Sequence, residues 1–120
     1  MKNKVLIVDD EVIICEVAKE MFEIFGFEAF SAESLVEAES CFKEHHADIA
    51  LVILDYNLPD SNGVEILKVL KSINDDFVAV LATGMYVKSD IEKYQAMGFA
   101  EVIDKPYGFD VLKGLSARYL

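Results

Sequence analysis

The chain is 120 residues long, with 22 acidic against 11 basic side chains and a formal charge of −11. That length predicts one domain, residues 1–120. With 53% hydrophobic and 28% charged residues, it has enough apolar side chains for a core, which excludes wholesale disorder. The negative charge repels phosphate backbones and anionic bilayer surfaces, so no direct nucleic-acid binding and no membrane binding are expected. The longest apolar runs, Ile49–Leu54 and Phe77–Ala82, fall far short of the ~18 residues of a membrane span. Met1-Lys2-Asn3-Lys4 carries the positive charge of a signal peptide, but the apolar stretch after it stops at Asp9 with no small-residue cleavage site. Cys15 and Cys41 lack metal-ligand spacing and are read as reduced thiols of a cytoplasmic protein.

In chain order, the first expected strand is Val5-Leu6-Ile7-Val8. A helix follows, with Ile14, Val17, Ala18, Met21 and Phe25 on its core face, Glu16, Lys19, Glu20 and Glu23 opposite, and Gly26 as C-terminal cap. Glu28–Phe30 reads as a short edge strand, and Ser34-x-x-Glu37 has the capping-box pattern that opens a second helix. Ile49–Leu54 is a continuous apolar run rich in β-branched residues, the pattern of a strand buried on both faces. Asn62-x-x-Glu65 opens a third helix on Ile66, Leu67, Leu70 and Ile73. Phe77–Ala82 repeats the buried-strand pattern, and Ser89-x-x-Glu92 opens a fourth helix. Glu101–Ile103 is a second weak strand. The last helix runs from about Gly108 on Val111, Leu112, Leu115 and Tyr119; Gly114 within it costs ~1 kcal/mol relative to alanine, so this helix is expected to be the weakest. The alternation predicts an α/β fold, a doubly wound five-stranded parallel sheet of five βα units.

In such a sheet, ligands bind beyond the carboxyl ends of the strands. Asp9, Asp10 and Glu11 follow the first expected strand, Asp55 the third, Thr83 the fourth and Lys105 the fifth. Gathered carboxylates repel unless a cation joins them, and hard oxygen ligands suit Mg²⁺. Asp10 and Asp55 are the expected direct ligands, with the backbone carbonyl of Asn57 as a third. A lysine point charge and a threonine hydroxyl complete a phosphoryl-binding set, and a carboxylate can be the nucleophile that becomes an aspartyl phosphate. Each part has a plainer reading in isolation: Asp9-Asp10 as a solvated turn, Thr83-Gly84 as a strand exit, Lys105-Pro106 as a surface lysine before a turn. Joint placement at four strand ends is what carries specificity.

Over essentially its whole length the chain resembles the receiver domain of bacterial two-component response regulators. The residues that carry the resemblance are Val5–Glu11, Leu54–Asp60 with Gly63, Ala82-Thr83-Gly84 and Asp104-Lys105-Pro106-Tyr107. The resemblance implies a flavodoxin-like sheet of order 2-1-3-4-5. It implies that Asp55 accepts a phosphoryl group from a phosphohistidine on a sensor histidine kinase or phosphotransfer protein. Asp10 would sit on the metal with Asp9 acting through water, while Thr83 and Lys105 bind phosphoryl oxygens. It also implies a cis bond before Pro106. Output would pass through the surface of the fourth helix, fifth strand and last helix to an unknown downstream protein, an output domain or a second copy of the chain.

Two positions depart from the family pattern. Val102 stands where an inward-swinging aromatic is usual, and Tyr107 replaces the commoner Phe. Tyr86 and Tyr94 lie near the fourth helix and offer another readout, although ordinary surface aromatics are the plainer reading. Among other functions, a haloacid-dehalogenase-type phosphatase is disfavoured because no Asp-x-Asp follows the first strand. A flavin module is disfavoured because no Gly/Ser/Thr-rich loop follows it. A receiver-like interaction module that is not phosphorylated is the remaining alternative, with Val102 its one hint. His45 and His46 fall at an expected helix C-terminus, where partial positive charge is favourable, rather than in a relay.

Overall fold

The three apolar runs lie side by side at the centre of a five-stranded parallel sheet, in a computed structural model that describes residues 2–84 and 90–120. In chain order the elements are β1 (Lys4–Val8), α1 (Val12–Ile24), β2 (Ala29–Ala32), α2 (Leu35–His45), β3 (Ile49–Asp55), α3 (Gly63–Ile73), β4 (Val78–Thr83), α4 (Ile91–Met97), β5 (Phe99–Asp104) and α5 (Phe109–Tyr119). The strand order is β2-β1-β3-β4-β5, with every neighbouring pair parallel. The alternation of side chains along the strands divides the core in two. Leu6, Val8, Val52, Leu54, Ala79 and Leu81 pack toward α2 and α3, around Phe42, Leu70 and Phe99. Val5, Ile7, Leu51, Ile53, Val80 and Ala82 pack toward α1 and α5, around Phe22, Leu112 and Leu115. From β1 the chain winds outward to β2, and from β3 it winds the other way to β4. The crevice between their carboxyl ends is therefore the topological switch point.

The expected caps form. Ser34 accepts from the Glu37 N–H at 3.2 Å, although Glu37 returns its carboxylate to the Glu33 N–H rather than to that of Ser34 itself. Asn62 accepts from the Glu65 N–H at 3.0 Å. Gly26, at φ +93°, closes α1 with Gly26 N–H to Glu23 and Phe27 N–H to Phe22, the bond pair of a Schellman cap. The expected cap Ser89 lies outside the described residues, and α4 is described from Ile91.

Two helix faces differ from expectation. In α1 the buried residues are Cys15, Ala18 and Phe22, while Val17 is 44% exposed. Val12, Ile13 and Ile24 are exposed as well, so apolar residues wrap more than one stripe and two helix rotations fit the pattern equally well. In α5, Leu112 and Leu115 are buried as expected but Val111 is exposed. Gly114 leaves α5 unbroken. The Arg118 side chain lies across it to make a two-pronged ion pair with Glu101, both contacts 2.9 Å, and the Tyr119 hydroxyl bonds the same carboxylate. His45 stacks on Phe30 at 4.2 Å and His46 bonds Asn74, both structural positions. No helix among the described residues is long and apolar enough to cross a membrane.

Candidate functional site

Ladder geometry brings the expected residues to one crevice. The Asp9 N–H bonds the Ala32 carbonyl, the Tyr56 N–H bonds Ala82, and the Lys105 N–H bonds Thr83, each at 3.0 Å. These bonds level the ends of neighbouring strands. Asp9, Asp10 and Asp55 each present a carboxylate oxygen within 4.8 Å of the others. Asp9, Asp55 and Thr83 are buried; Asp10 is exposed at the mouth. Asp10, Glu11, Asp55, Asn57, Thr83 and Lys105 line an open crevice of about 610 Å³. Gly63 makes the approach of α3 possible: a Cβ there would lie 2.7 Å from the Asp55 carbonyl oxygen and 2.9 Å from Leu81.

Lys105 organises the charge. Its Nζ lies 3.0 Å from Asp9 Oδ2, 3.0 Å from Asp55 Oδ2 and 3.5 Å from Glu11 Oε1. Burial disfavours the ammonium, but the charge of the Asp9 and Asp55 carboxylates and the hydrogen bond to Asp55 outweigh it and hold Lys105 above its ordinary value. Burial also pushes Asp55 above the ordinary carboxylate range, and the charge of Asp9 adds to the push; the Lys105 ammonium and the Asn57 backbone N–H pull the other way without cancelling it. Asp9 Oδ1 accepts from the Glu11 N–H at 2.9 Å. Its Oδ2 is fully buried and, among the described residues, receives no well-directed hydrogen bond, so Lys105 holds it by charge alone. The Cys15 thiol donates to the Asp9 carbonyl; burial, then the Asp9 charge, push it up to about 12, which leaves it an inert thiol.

A buried anionic oxygen without a directed donor, beside two further carboxylates and, among the described residues lining the crevice, no soft ligand, fits a hard divalent cation such as Mg²⁺. Asp9, Asp10, Asp55, Thr83 and Lys105 all converge, and Asn57 lines the same crevice. The contact of Glu11 with Lys105 carried no signal in the sequence beyond position. Neither did the partial burial of Tyr107, whose hydroxyl is pushed up by desolvation and by the charge of Asp9. The Lys105–Pro106 bond is cis. Val102 is half-buried and packs into the core on the α2–α3 side. Tyr94 is a packed residue rather than a surface one: its ring meets Tyr56 at 6.1 Å and Phe99 at 6.3 Å. Tyr86 lies outside the described residues.

A doubly wound parallel sheet of this order, with an acidic triad, a threonine and a lysine at its strand ends, is consistent with phosphoaspartate signalling. The chain belongs to the response regulator receiver domain family, which it matches over residues 5–115. It is 29% identical over 120 residues to sporulation initiation phosphotransferase F of Bacillus subtilis, spanning all of this chain and 95% of that one. It is 30% identical over 108 residues to the polar-differentiation response regulator DivK of Brucella ovis, covering 88% of this chain and 86% of that one. A response regulator receiver domain protein from Clostridium thermocellum superimposes with a TM-score of 0.87 at 28% identity, over 97% of this chain and 92% of that one.

Proposed function

We propose that the chain is a phosphorylation-dependent switch in which Asp55 accepts a phosphoryl group from a phosphohistidine of a sensor histidine kinase or phosphotransfer protein. The observation that carries this reading is the Asp55 carboxylate at the end of β3, in an open crevice, 3.0 Å from Lys105 and within 4.8 Å of two more carboxylates. An Asp55 oxygen forms the new P–O bond, the P–N bond of the donor breaks, and its electron pair leaves with the imidazole nitrogen. Mg²⁺, held by Asp10, Asp55 and the Asn57 backbone carbonyl with Asp9 acting through water, supplies neutralisation of phosphoryl charge. Lys105 turns its ammonium from carboxylates to a phosphoryl oxygen. Thr83 donates its hydroxyl to another. Relay to partners through the α4-β5-α5 surface is part of the proposal, and so is a homodimer formed there. With Val102 in place of an aromatic, movement of Thr83 toward the new oxygens is the coupling step.

Intact-mass spectrometry after incubation with acetyl phosphate tests the reading, with and without Mg²⁺, on wild type and Asp55→Asn. A single Mg²⁺-dependent phosphoryl adduct on wild type, absent from the variant, is expected. Folded wild type that binds Mg²⁺ and takes no adduct would favour a receiver-like interaction module that is not phosphorylated.

A further inference from the structure

The segment between Asp55 and α3 carries Asn57 and closes mostly on itself. Asn57 pairs with Asn62 across an antiparallel bridge, the Leu58 N–H bonds the Ser61 carbonyl at 3.1 Å, and the Gly63 N–H bonds the Tyr56 carbonyl at 3.0 Å. Ser61 and Asn62 bond onward to Glu65 in α3. Among the described residues, the hydrogen bonds of residues 58–62 stay within this segment and α3, with one exception. Asp60 reaches across to α2, where its Oδ1 accepts from the Leu35 N–H at 2.9 Å and its Oδ2 lies 3.4 Å from the Val36 nitrogen. Leu35 and Val36 open α2, so their N–H groups have no intrahelical partner, and Ser34 already serves Glu37. Asp60 and Ser34 thus divide the first N–H groups of α2 between them. Ser34 does so from the helix itself, and Asp60 from the segment that bears the expected carbonyl ligand. A carboxylate at a helix N-terminus is favoured by the macrodipole as well as by the bonds.

We propose that Asp60 is a positioning residue for the cation site, its tie to the α2 N-terminus holding the 56–62 segment so that the Asn57 carbonyl faces the crevice. The tie is a tertiary strut three residues from the ligand, fixed at one end to a helix the site does not otherwise touch. It works in both directions. A cation that draws on the Asn57 carbonyl also tightens Asp60 against α2, so the Leu35 and Val36 amides exchange more slowly when the site is loaded. The inference rests on the Mg²⁺ site proposed above.

The experiment is titration of the full chain with Mg²⁺ by calorimetry, in about 0.15 M monovalent salt to screen the distant charge, with amide hydrogen exchange on the same samples. Wild type, Asp60→Ala, Asp60→Asn and Ser34→Ala are compared. Groups that hydrogen-bond a metal ligand directly are worth about 10- to 100-fold in affinity. Asp60 acts one step further out, so Asp60→Ala is expected to weaken Mg²⁺ roughly three- to tenfold. Asp60→Asn keeps the Oδ1 acceptor for Leu35 and should fall between wild type and Asp60→Ala. Ser34→Ala loosens the same turn of α2 without touching the segment and should bind within about twofold of wild type. Three results would overturn the proposal. They are Asp60→Ala binding like wild type, Asp60→Ala and Ser34→Ala weakened alike (a role confined to α2), and Asp60→Asn as weak as Asp60→Ala (the removed charge alone). Wild type that binds no Mg²⁺ would instead overturn the reading of the site, and this proposal with it.

Discussion

Replacing Lys105 by Met keeps most of the methylene stem and removes the ammonium that joins Asp9 to Asp55. At an effective dielectric of ~20, unit charges 3.0 Å apart attract by about 5–6 kcal/mol. Asp9 and Asp55, their oxygens within 4.8 Å of each other, repel by at least about 3 kcal/mol on the same scale. Desolvation of the three groups cancels much of the attraction, which is why breaking a buried ion pair costs about 3–5 kcal/mol rather than the Coulomb sum. Water entering the open crevice lowers this further, so the expected loss at neutral pH is about 2–4 kcal/mol. The pH dependence gives the loss a signature. Asp55 already titrates above the ordinary carboxylate range, and without Lys105 it loses the hydrogen bond and charge that pull it down. A carboxyl raised in the folded state binds its proton more tightly there than in the unfolded chain. Stability therefore falls as pH rises through the raised value and returns as pH drops through it. The deficit of Lys105→Met relative to wild type should accordingly be largest near pH 7.5, shrink toward about pH 5, and shrink at neutral pH when Mg²⁺ is added. Urea unfolding followed by circular dichroism reads all three conditions. A deficit that is the same at both pH values and indifferent to Mg²⁺ would refute the electrostatic account and assign the loss to packing around the β5–α5 connection.

Mg²⁺ should also stabilise wild type. At one hundred times its dissociation constant, the linkage gain is about 2.7 kcal/mol, which for a chain of this size raises Tm by roughly 10 °C. A Tm indifferent to Mg²⁺ would contradict the pocket as described. Gly63→Ala sets a Cβ 2.7 Å from the Asp55 backbone oxygen, a contact only backbone movement relieves. A loss of about 2–4 kcal/mol is expected in denaturant unfolding, and a loss under about 0.5 kcal/mol would show that α3 can slide away freely. Gly114→Ala meets only the far end of Arg118, at 3.1 Å. The side chain can yield, so helix propensity should decide, with a gain of about 0.5–1 kcal/mol; a lower Tm would mean that the Arg118–Glu101 pair cannot yield.

The strands were legible because β1, β3 and β4 are buried on both faces, which calls for continuous apolar runs rich in β-branched residues. The site residues were legible for the same reason. Each polar residue that interrupts such a run marks a strand end, and in a parallel sheet the carboxyl ends gather on one edge. The core face of α1 was less legible. Val12, Ile13, Val17 and Ile24 remain exposed while Cys15, a small residue with no strong hydropathy signal, is fully packed. Periodicity reports where apolar residues lie on a helix, and it cannot choose the stripe that meets the sheet. The tie from Asp60 to α2 spans 25 residues and the contact from Lys105 to Glu11 spans 94. No local pattern encodes either, because both arise from neighbours that only the folded topology brings together.

The helix through which output is proposed to pass is also the one held most lightly. α4 has seven residues, none of them buried, and Asp90 at its start makes no side-chain capping bond. It ends at Gly98, whose φ of +115° suits a residue without a Cβ. Tyr94 provides its described aromatic contacts, edge-on to Phe99 in β5 and to Tyr56, the residue that follows Asp55. Local stability follows buried contact, so this helix can shift for a small fraction of the global unfolding free energy, whereas α3, with Ile66, Leu67 and Leu70 buried, cannot. The phosphoryl group proposed for Asp55, next in the chain to Tyr56, would bring new charge and three acceptor oxygens to the crevice that Thr83 lines. Tyr56 meets Tyr94 of α4 edge-on, at 6.1 Å between ring centres. The proposed output therefore has, in Tyr56, a described contact with α4 that requires no aromatic ring at position 102.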